Sequence, residues 1–193
     1  VRDEQTLAGG RFMVCVDGSA YSYKAVRTAL ELAREFGGTV YLCSAFDVEY
    51  HHSVFGNIRY ALSEAASKVF KFEEQEELHN NIIDKGLLKL CQANLKRAGV
   101  MAEQYPEVQV QNQILIGKPF QCILQWVEEV QPTLLILARH GSHRIEGTEL
   151  GSQADNLLRL APCNLLVIGT TDLGPEGIPW IADVNLPSLR QVE

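Results

Sequence analysis

Residues 12–46 read FMVCVDGSAYSYKAVRTALELAREFGGTVYLCSAF, which joins two apolar runs through a turn and a helical pattern. The first run, at 12–16, is rich in β-forming residues and ends at the DGS triplet of residues 17–19, which suits a turn and a helix N-cap. Apolar residues at helical spacing follow, and a pair of glycines then gives a helix stop signal. The second run, TVYLCSAF at 39–46, is unbroken, as is typical of a strand covered on both faces of a sheet. The pattern predicts one βαβ unit.

The remainder of the chain continues this alternation of strands and helices. The predicted elements, in order, are a long helix over 72–99, a half-covered strand at 108–116, a helix over 119–130, a very hydrophobic strand at 133–137, a helix over 151–161 and a last strand at 164–169. The order βαβαβαβαβ is typical of a doubly wound parallel sheet. We therefore predict an α/β, Rossmann-like fold in which a five-stranded parallel sheet of order 3-2-1-4-5 has helices on both faces.

The length of 193 residues favours a single domain with some elaboration. We expect a polar lead-in at 1–10, one domain at 11–170 and a proline-rich tail or linker at 171–193. Within the domain, residues 48–72 form an extended loop or helix insertion whose apolar content leaves three interpretations open. Residues 50–72 fold as a lid over a pocket at the carboxyl end of the second strand or as a docking surface for a protein partner, or they form a helix that extends the core. The tail is a second candidate for contact with a partner.

The composition is that of an ordinary globular protein, with 46% apolar and 21% charged residues. The 17 basic and 24 acidic residues give a net charge of -7, so the chain lacks the positive field that non-specific binding to nucleic acid or anionic membranes requires. No apolar run approaches the ~18 residues of a membrane span. The five cysteines are scattered without a CxxC pair, which predicts free thiols in a reducing cytoplasm.

Two of the predicted strands end in polar, glycine-containing loops. The DGS triplet follows the first strand. The loop after the fourth strand contains Arg139, His140 and Gly141 and, further on, Gly151 and Ser152. In an open parallel sheet, ligands bind outside the carboxyl ends of the strands, where the winding direction reverses. If the first and fourth strands are neighbours, both loops share one crevice.

The chemistry of these loops favours a ligand that carries phosphate. Free N–H groups and the helix dipole at the predicted helix start, Gly151 and Ser152, attract a phosphate. A local positive cluster adds to this attraction and consists of Arg139, His140, His143 and Arg144. The carboxylate of Asp17 can accept ribose hydroxyls or reach a metal ion. The sequence therefore predicts a site for a nucleoside polyphosphate.

These motifs resemble those of the universal stress protein family over roughly residues 11–170. The resemblance rests on strand-DGS at 14–19, on GKP before the third helix and on ARHG at 138–141, followed after nine residues by GS and then by ADNLLRLAPCNLLVIG at 154–169. Nucleotide-binding members of the family carry G-x2-G-x9-G-[ST]. Gly141 occupies the second glycine position of this motif, and Ala138 stands at the first.

The resemblance implies a regulatory domain that binds ATP or a related adenine nucleotide, with Mg²⁺ as a possible companion. Asp17 would contact the ribose or the metal, and Ala45 would line the adenine pocket. The phosphates would be held by Gly141, Gly151 and Ser152. The family also pairs through its last strand, which predicts a homodimer joined by residues 164–169.

Simpler interpretations stand beside this one. The DGS triplet also suits a mere turn and N-cap, and the glycines of the second loop also suit a loop and a helix cap. Ala138, the insertion and the tail favour a rival hypothesis, a nucleotide-free scaffold or dimerisation module within a larger protein or complex. The sequence contains no G-x-S-x-G, Walker A or HExxH motif, so we assign no catalytic or metal-binding residue and expect at most slow hydrolysis of ATP.

Overall fold

The computed structural model describes residues 7–49, 53, 71–142 and 150–169. Most of the predicted insertion at 48–72, the loop at 143–149 and the whole tail at 171–193 lie outside the described residues. The interpretations of residues 50–72 and of the tail as a lid or docking surface therefore stay predictions.

The described residues form five strands and four long helices in alternation. In chain order these are β1 (Arg11–Cys15), α1 (Ala20–Phe36), β2 (Thr39–Phe46), α2 (Phe72–Ala102), β3 (Gln109–Ile116), α3 (Pro119–Val130), β4 (Leu134–Ala138), α4 (Ser152–Leu160) and β5 (Leu165–Ile168). The sheet has the order β3-β2-β1-β4-β5, and every neighbouring pair is parallel. The predicted fold and strand order are confirmed.

The signals at both ends of α1 act as the sequence predicts. Ser19 is the N-cap in an extended conformation, and its hydroxyl accepts a hydrogen bond from the Ser22 N–H at 3.1 Å. At the other end Gly37 adopts a left-handed conformation with φ of 71° and donates its N–H to the carbonyl of Ala33. These local caps set the length of the helix that connects β1 to β2.

Helix α2 runs three residues beyond the predicted end at Gly99. Glycine costs about 1 kcal/mol relative to alanine inside a helix, but tertiary packing overrides so small a preference. The packing is visible in Leu95, Ala98 and Met101, which are all buried against the sheet. Neither α2 nor any other helix in the described part of the chain is both long and apolar enough to cross a membrane.

Two apolar layers cover the two faces of the sheet. Alternate residues of β1 point to opposite sides, so Phe12 and Val14 pack with α1 and α2, whereas Met13 packs with α3 and α4. At the centre β1 pairs directly with β4, with Val14 opposite Ile136. The loops that follow these two strands therefore lie at the same edge of the sheet, which is the arrangement that the predicted site requires.

Candidate functional site

A cavity of about 540 Å³ opens at the carboxyl edge of the sheet. Its volume lies within the range of about 300–1,000 Å³ that is usual for small-molecule sites. Six of the eight predicted site residues line it, namely Asp17, Ala45, Ala138, Gly141, Gly151 and Ser152. The lining combines these groups with apolar side chains such as Val16, Ile123 and Leu137. The cavity can thus hold a ligand with one apolar and one polar part.

Asp17 links the two loops that frame the cavity. One carboxylate oxygen, Oδ1, accepts the N–H of Ser19 at 3.0 Å and its hydroxyl at 2.6 Å. The other oxygen, Oδ2, accepts the backbone N–H of Ser142 at 2.7 Å, so the loop after β1 is tied to the loop after β4. A carboxylate in this position brings negative charge and acceptor oxygens to the mouth of the cavity.

Position 141 has room for glycine only, because the Asp17 carboxylate lies where a side chain would begin. Its backbone does not adopt a left-handed conformation, but a Cβ at this position would lie 2.6 Å from Oδ2 of Asp17. A side chain here would displace the carboxylate from its bond to Ser142. The glycine therefore lets the two loops approach each other at the cavity.

The N-terminus of α4 is open toward the cavity. The N-cap is Gly151, which supplies no side-chain hydrogen bond, and the first N–H groups of a helix have no partner within the helix. Gly151 itself donates its N–H to the carbonyl of Arg139 at 2.9 Å, so the donors for a ligand are those of the first turn, at Ser152 and Gln153. Both of these residues line the cavity.

The fold does not require glycine at position 151. Its φ is -68°, and a Cβ would meet its nearest neighbours, the carbonyl oxygen of Arg139 among them, at ordinary contact distances of 3.5 Å and more. Neither the backbone conformation nor the space around it therefore explains the glycine. What the absence of a side chain does provide is room for a ligand in front of the helix N-terminus.

Ala138 is compatible with the backbone at the first position of the motif. It is the last residue of β4 and lines the cavity, and its φ is not positive. Glycine would be needed only where the backbone requires the left-handed region or a ligand leaves no room for a methyl group. The first of these two conditions does not hold here.

The structure does not bring Arg139 and His140 to the cavity lining. Arg139 continues the strand ladder through its N–H, which donates to the carbonyl of Ile168 at 2.9 Å. His140 is buried, with 4% of its surface exposed. The other two members of the predicted positive cluster, His143 and Arg144, lie outside the described residues.

Helix α2 supplies one wall of the cavity that the sequence analysis did not anticipate. The wall consists of Leu87, Leu90, Cys91 and Asn94. Asn94 also packs on the DGS turn, where Gly18 has a φ of 85° and a Cβ on it would lie 2.6 Å from the amide oxygen of Asn94. Asn94 lies more than seventy residues after Gly18 in the chain. No local sequence pattern around either residue therefore indicates that the two come together.

An aromatic contact holds α2 in this place. The hydroxyl of Tyr23 on α1 donates to the carbonyl of Asn94 at 3.5 Å, and the guanidinium of Arg97 lies 5.4 Å from the centre of the Tyr23 ring. Burial raises the pKa of Tyr23, while the neighbouring Arg97 acts in the opposite direction. The wall formed by α2 is therefore anchored to the helix that begins at the DGS turn.

The described residues show no cluster of three or more His, Cys, Asp or Glu side chains that could hold a metal ion. Two carboxylates, Asp17 and Asp47, nevertheless line the cavity. A cation there would need oxygen ligands from the bound molecule as well as from the protein.

The sequence profile of the Universal stress protein family matches residues 10–169. The chain belongs to the universal stress protein family. Within this family it is similar to Universal stress protein MJ0531 of Methanocaldococcus jannaschii, to which it is 28% identical over 159 residues, covering 82% of this chain and 81% of that protein.

Two solved structures share the architecture of this universal stress protein domain. Hypothetical protein MJ0577 aligns with a TM-score of 0.66 and 18% identity, over 85% of this chain and 98% of that one. The universal stress protein UspA from Lactobacillus plantarum aligns with a TM-score of 0.58 and 16% identity, over 83% of this chain and 98% of that one. At 18% and 16% identity, this similarity shows a shared fold and nothing about function.

Proposed function

We propose that this universal stress protein domain binds ATP or a related adenine nucleotide and signals through the occupancy of the site. The observation that carries the proposal is a single cavity in which Asp17, Gly141 and the uncapped N-terminus of α4 come together. A helix N-terminus without a side-chain cap attracts phosphate through its N–H groups and its dipole. The function is one of binding, with at most slow hydrolysis.

The nucleotide would lie with its base toward the end of β2 and its phosphates toward α4. Ala45 is half-buried at the cavity wall and would contact the adenine, as the family resemblance implies. Asp17 would accept the ribose hydroxyls, since a carboxylate is a strong acceptor. The N–H groups of Ser152 and Gln153, with the space beside Gly141, would receive the phosphates. In the alternative arrangement Asp17 would instead reach a Mg²⁺ ion that accompanies the phosphates.

We also place the protein in the cytoplasm and expect a homodimer through β5. All five cysteines are free thiols, which suits a reducing compartment. Strand β5 ends the sheet, and its four residues, Leu165–Ile168, are apolar yet only half-buried. An edge of this kind favours pairing with a second strand.

The rival function is a nucleotide-free scaffold. It is favoured by one specific observation, namely that Arg139 and His140 are withheld from the cavity lining, so that these two side chains do not meet a phosphate there. If the domain is a scaffold, the cavity is only a gap between loops.

Calorimetry with ATP separates the two functions. We expect saturable binding to the purified protein, and mass spectrometry of acid-released small molecules should detect copurified adenine nucleotide. Gly151→Leu should block the helix end and abolish binding, whereas Gly99→Leu, at a glycine outside the cavity lining with no atom within 4 Å of a Cβ, should bind like the wild type. Absence of binding at millimolar ATP, by calorimetry and in the copurified material, would favour the scaffold, and equal binding of GTP would remove the preference for adenine.

A further inference from the structure

Two cysteine side chains meet inside the cavity. Cys15 ends β1 and Cys43 lies on β2, and the two residues are direct partners in the parallel register. The thiol of Cys43 donates to the sulfur of Cys15 over 3.6 Å. Both residues line the cavity, Cys15 partly exposed and Cys43 with 0% of its surface accessible. The function proposed above does not use either thiol.

The backbone already places this pair within disulfide range. Neighbouring strands lie about 4.8 Å apart, and disulfides span Cα separations of about 4.4–6.8 Å. Partners in a parallel register project their side chains to the same face, and both cysteines belong to the apolar layer that packs on α3 and α4. The pair therefore combines a strand spacing compatible with a disulfide, a shared face of the sheet and an S···S distance of 3.6 Å.

We propose that Cys15 and Cys43 form a reversible disulfide in the wall of the cavity when the domain meets hydrogen peroxide. The formation of the bond is independent of the nucleotide. Only its protection by ATP, described below, rests on the proposed function.

The reaction proceeds in two balanced steps. The thiolate of Cys15 attacks one oxygen of hydrogen peroxide, so that an S–O bond forms, the O–O bond breaks and the leaving hydroxide takes up a proton to become water. The sulfur of Cys43 then attacks the Cys15 sulfur; the S–S bond forms, the S–O bond breaks, and the departing oxygen leaves as water with the proton of Cys43. Two thiols are oxidised to one disulfide, and one peroxide is reduced to two waters.

The environment assigns different roles to the two thiols. Cys15 is the sulfur that peroxide can reach, because it is partly exposed at the cavity. Cys43 is fully buried, and the hydrogen bond to Cys15, followed by burial, raises its pKa well above the ordinary value, so it is not the sulfur that peroxide oxidises first. Its proton passes to the departing oxygen as it attacks Cys15 in the second step.

A nucleotide in the cavity would interfere with this oxidation. Cys15 lies two residues before Asp17, and Cys43 lies two residues before Ala45, so a ligand that contacts both of those residues covers the path to the sulfurs. ATP should therefore slow the loss of the two thiols. A dithiol such as dithiothreitol reduces a disulfide by thiol exchange, which makes the modification reversible.

Peptide mapping after peroxide treatment tests the inference directly. The reduced protein is treated with hydrogen peroxide, free thiols are blocked under denaturing conditions, and the chain is cleaved with trypsin. Cys15 and Cys43 fall alone in the tryptic peptides 12–24 and 35–59. We expect these two peptides to be joined, the thiol count to fall by two, and dithiothreitol to restore all five thiols. The variant Cys163→Ser, at a cysteine outside the cavity lining, should give the same link, whereas Cys15→Ser should abolish it.

Other outcomes would overturn the inference. A link from either residue to Cys91, which also lines the cavity, would assign the chemistry to another pair. Oxidation of Cys15 to the sulfinic acid without a link would show that Cys43 does not act second. If the link forms and calorimetry detects no ATP binding, the proposed function fails and the disulfide stands. If ATP binds without slowing the reaction, the cavity is not the path to Cys15.

Discussion

The Oδ2 oxygen of Asp17 accepts the backbone N–H of Ser142 at 2.7 Å, across 125 positions of sequence. This bond joins the loop after β1 to the loop after β4. It exists because β1 and β4 are neighbours in the sheet and because Gly141 leaves space beside the carboxylate. The contact therefore ties together the two loops at the mouth of the cavity.

Removal of the Asp17 side chain should weaken both the fold and the site. Asp17→Ala loses hydrogen bonds to Ser19 and Ser142, and since these groups are exposed to water the free energy of unfolding should fall by only about 1 kcal/mol. ATP affinity should fall at least tenfold, which is about 1.4 kcal/mol. Urea denaturation and calorimetry measure the two effects. Glu128→Ala, which removes an exposed carboxylate on α3, should change neither quantity, and equal ATP affinity in Asp17→Ala would contradict the role given to the carboxylate.

A methyl group at position 141 should act through Asp17. Gly141→Ala places a Cβ 2.6 Å from Oδ2, so the carboxylate must move and its bond to Ser142 is lost. We expect a tenfold or greater loss of ATP affinity and a loss of stability of about 1 kcal/mol. The control variant Gly99→Ala, at a helical glycine with no neighbour within 4 Å of a Cβ, should keep the wild-type ATP affinity and lose no stability. In the double variant with Asp17→Ala the penalty of Gly141→Ala should largely disappear, and additive effects would refute the coupling.

The two adjacent glycines after α1 should respond differently to substitution. A Cβ at Gly38 would collide with the carbonyl oxygen of Gly10 and with the ring of Phe12, so Gly38→Ala should cost about 3 kcal/mol. Gly37 has a φ of 71° but open space around it, so Gly37→Ala should cost only about 1 kcal/mol. Denaturation curves of both variants measure which one loses more free energy of unfolding. A larger loss for Gly37→Ala would show that backbone conformation, and not the collision with Phe12, decides the cost.

A charge on the last strand should prevent dimer formation. Light scattering should give twice the chain mass of 21.5 kDa for the wild type. Val167→Lys places a charge on the edge strand β5, where charged side chains oppose strand pairing, and should give the mass of one chain. Gln111→Lys on β3, the opposite edge, is the control and should leave the dimer intact. A wild-type protein that runs as a monomer at micromolar concentration would refute the dimer itself.

Stability should fall in alkaline solution because of buried thiols. Burial raises the pKa of Cys91 and Cys122 above the ordinary 9.0, and the hydrogen bond to Cys15 together with burial raises that of Cys43. As the pH rises past 9.0, these thiols ionise in the unfolded chain before they ionise in the folded protein. Above pH 9.0 the folded state therefore binds more protons than the unfolded state. The contribution of the protonated thiols to the free energy of unfolding is complete below their ordinary pKa. It is lost as the pH rises through their pKa values in the folded protein.

Urea denaturation in dithiothreitol at about pH 8 and about pH 10 measures this loss. The wild type should be less stable at the higher pH. The variant Cys43→Ala should lose less between the two conditions, because it has one thiol fewer to ionise. An equal loss in both proteins would mean that the buried thiols do not contribute.

Much of the fold was predictable because its signals are local. The DGS triplet, the pair of glycines after α1 and the proline that opens α3 act on the few residues around them, through capping and backbone conformation. The end of α2 was predicted at Gly99 instead of Ala102, since Met101 packs on the sheet and outweighs the preference of one glycine.

The periodicity of the chain alone determined the alternation of strands and helices, and with it the edge of the sheet where Asp17 and Gly141 had to lie. Only the tertiary structure decided which side chains reach the cavity. Arg139 is not among the residues that line the cavity, whereas Asn94 is, on helix α2 from the middle of the chain. The reason is physical: hydrogen-bonded periodicity is a property of neighbouring residues, whereas a cavity wall is made by elements that meet only after the apolar faces have packed.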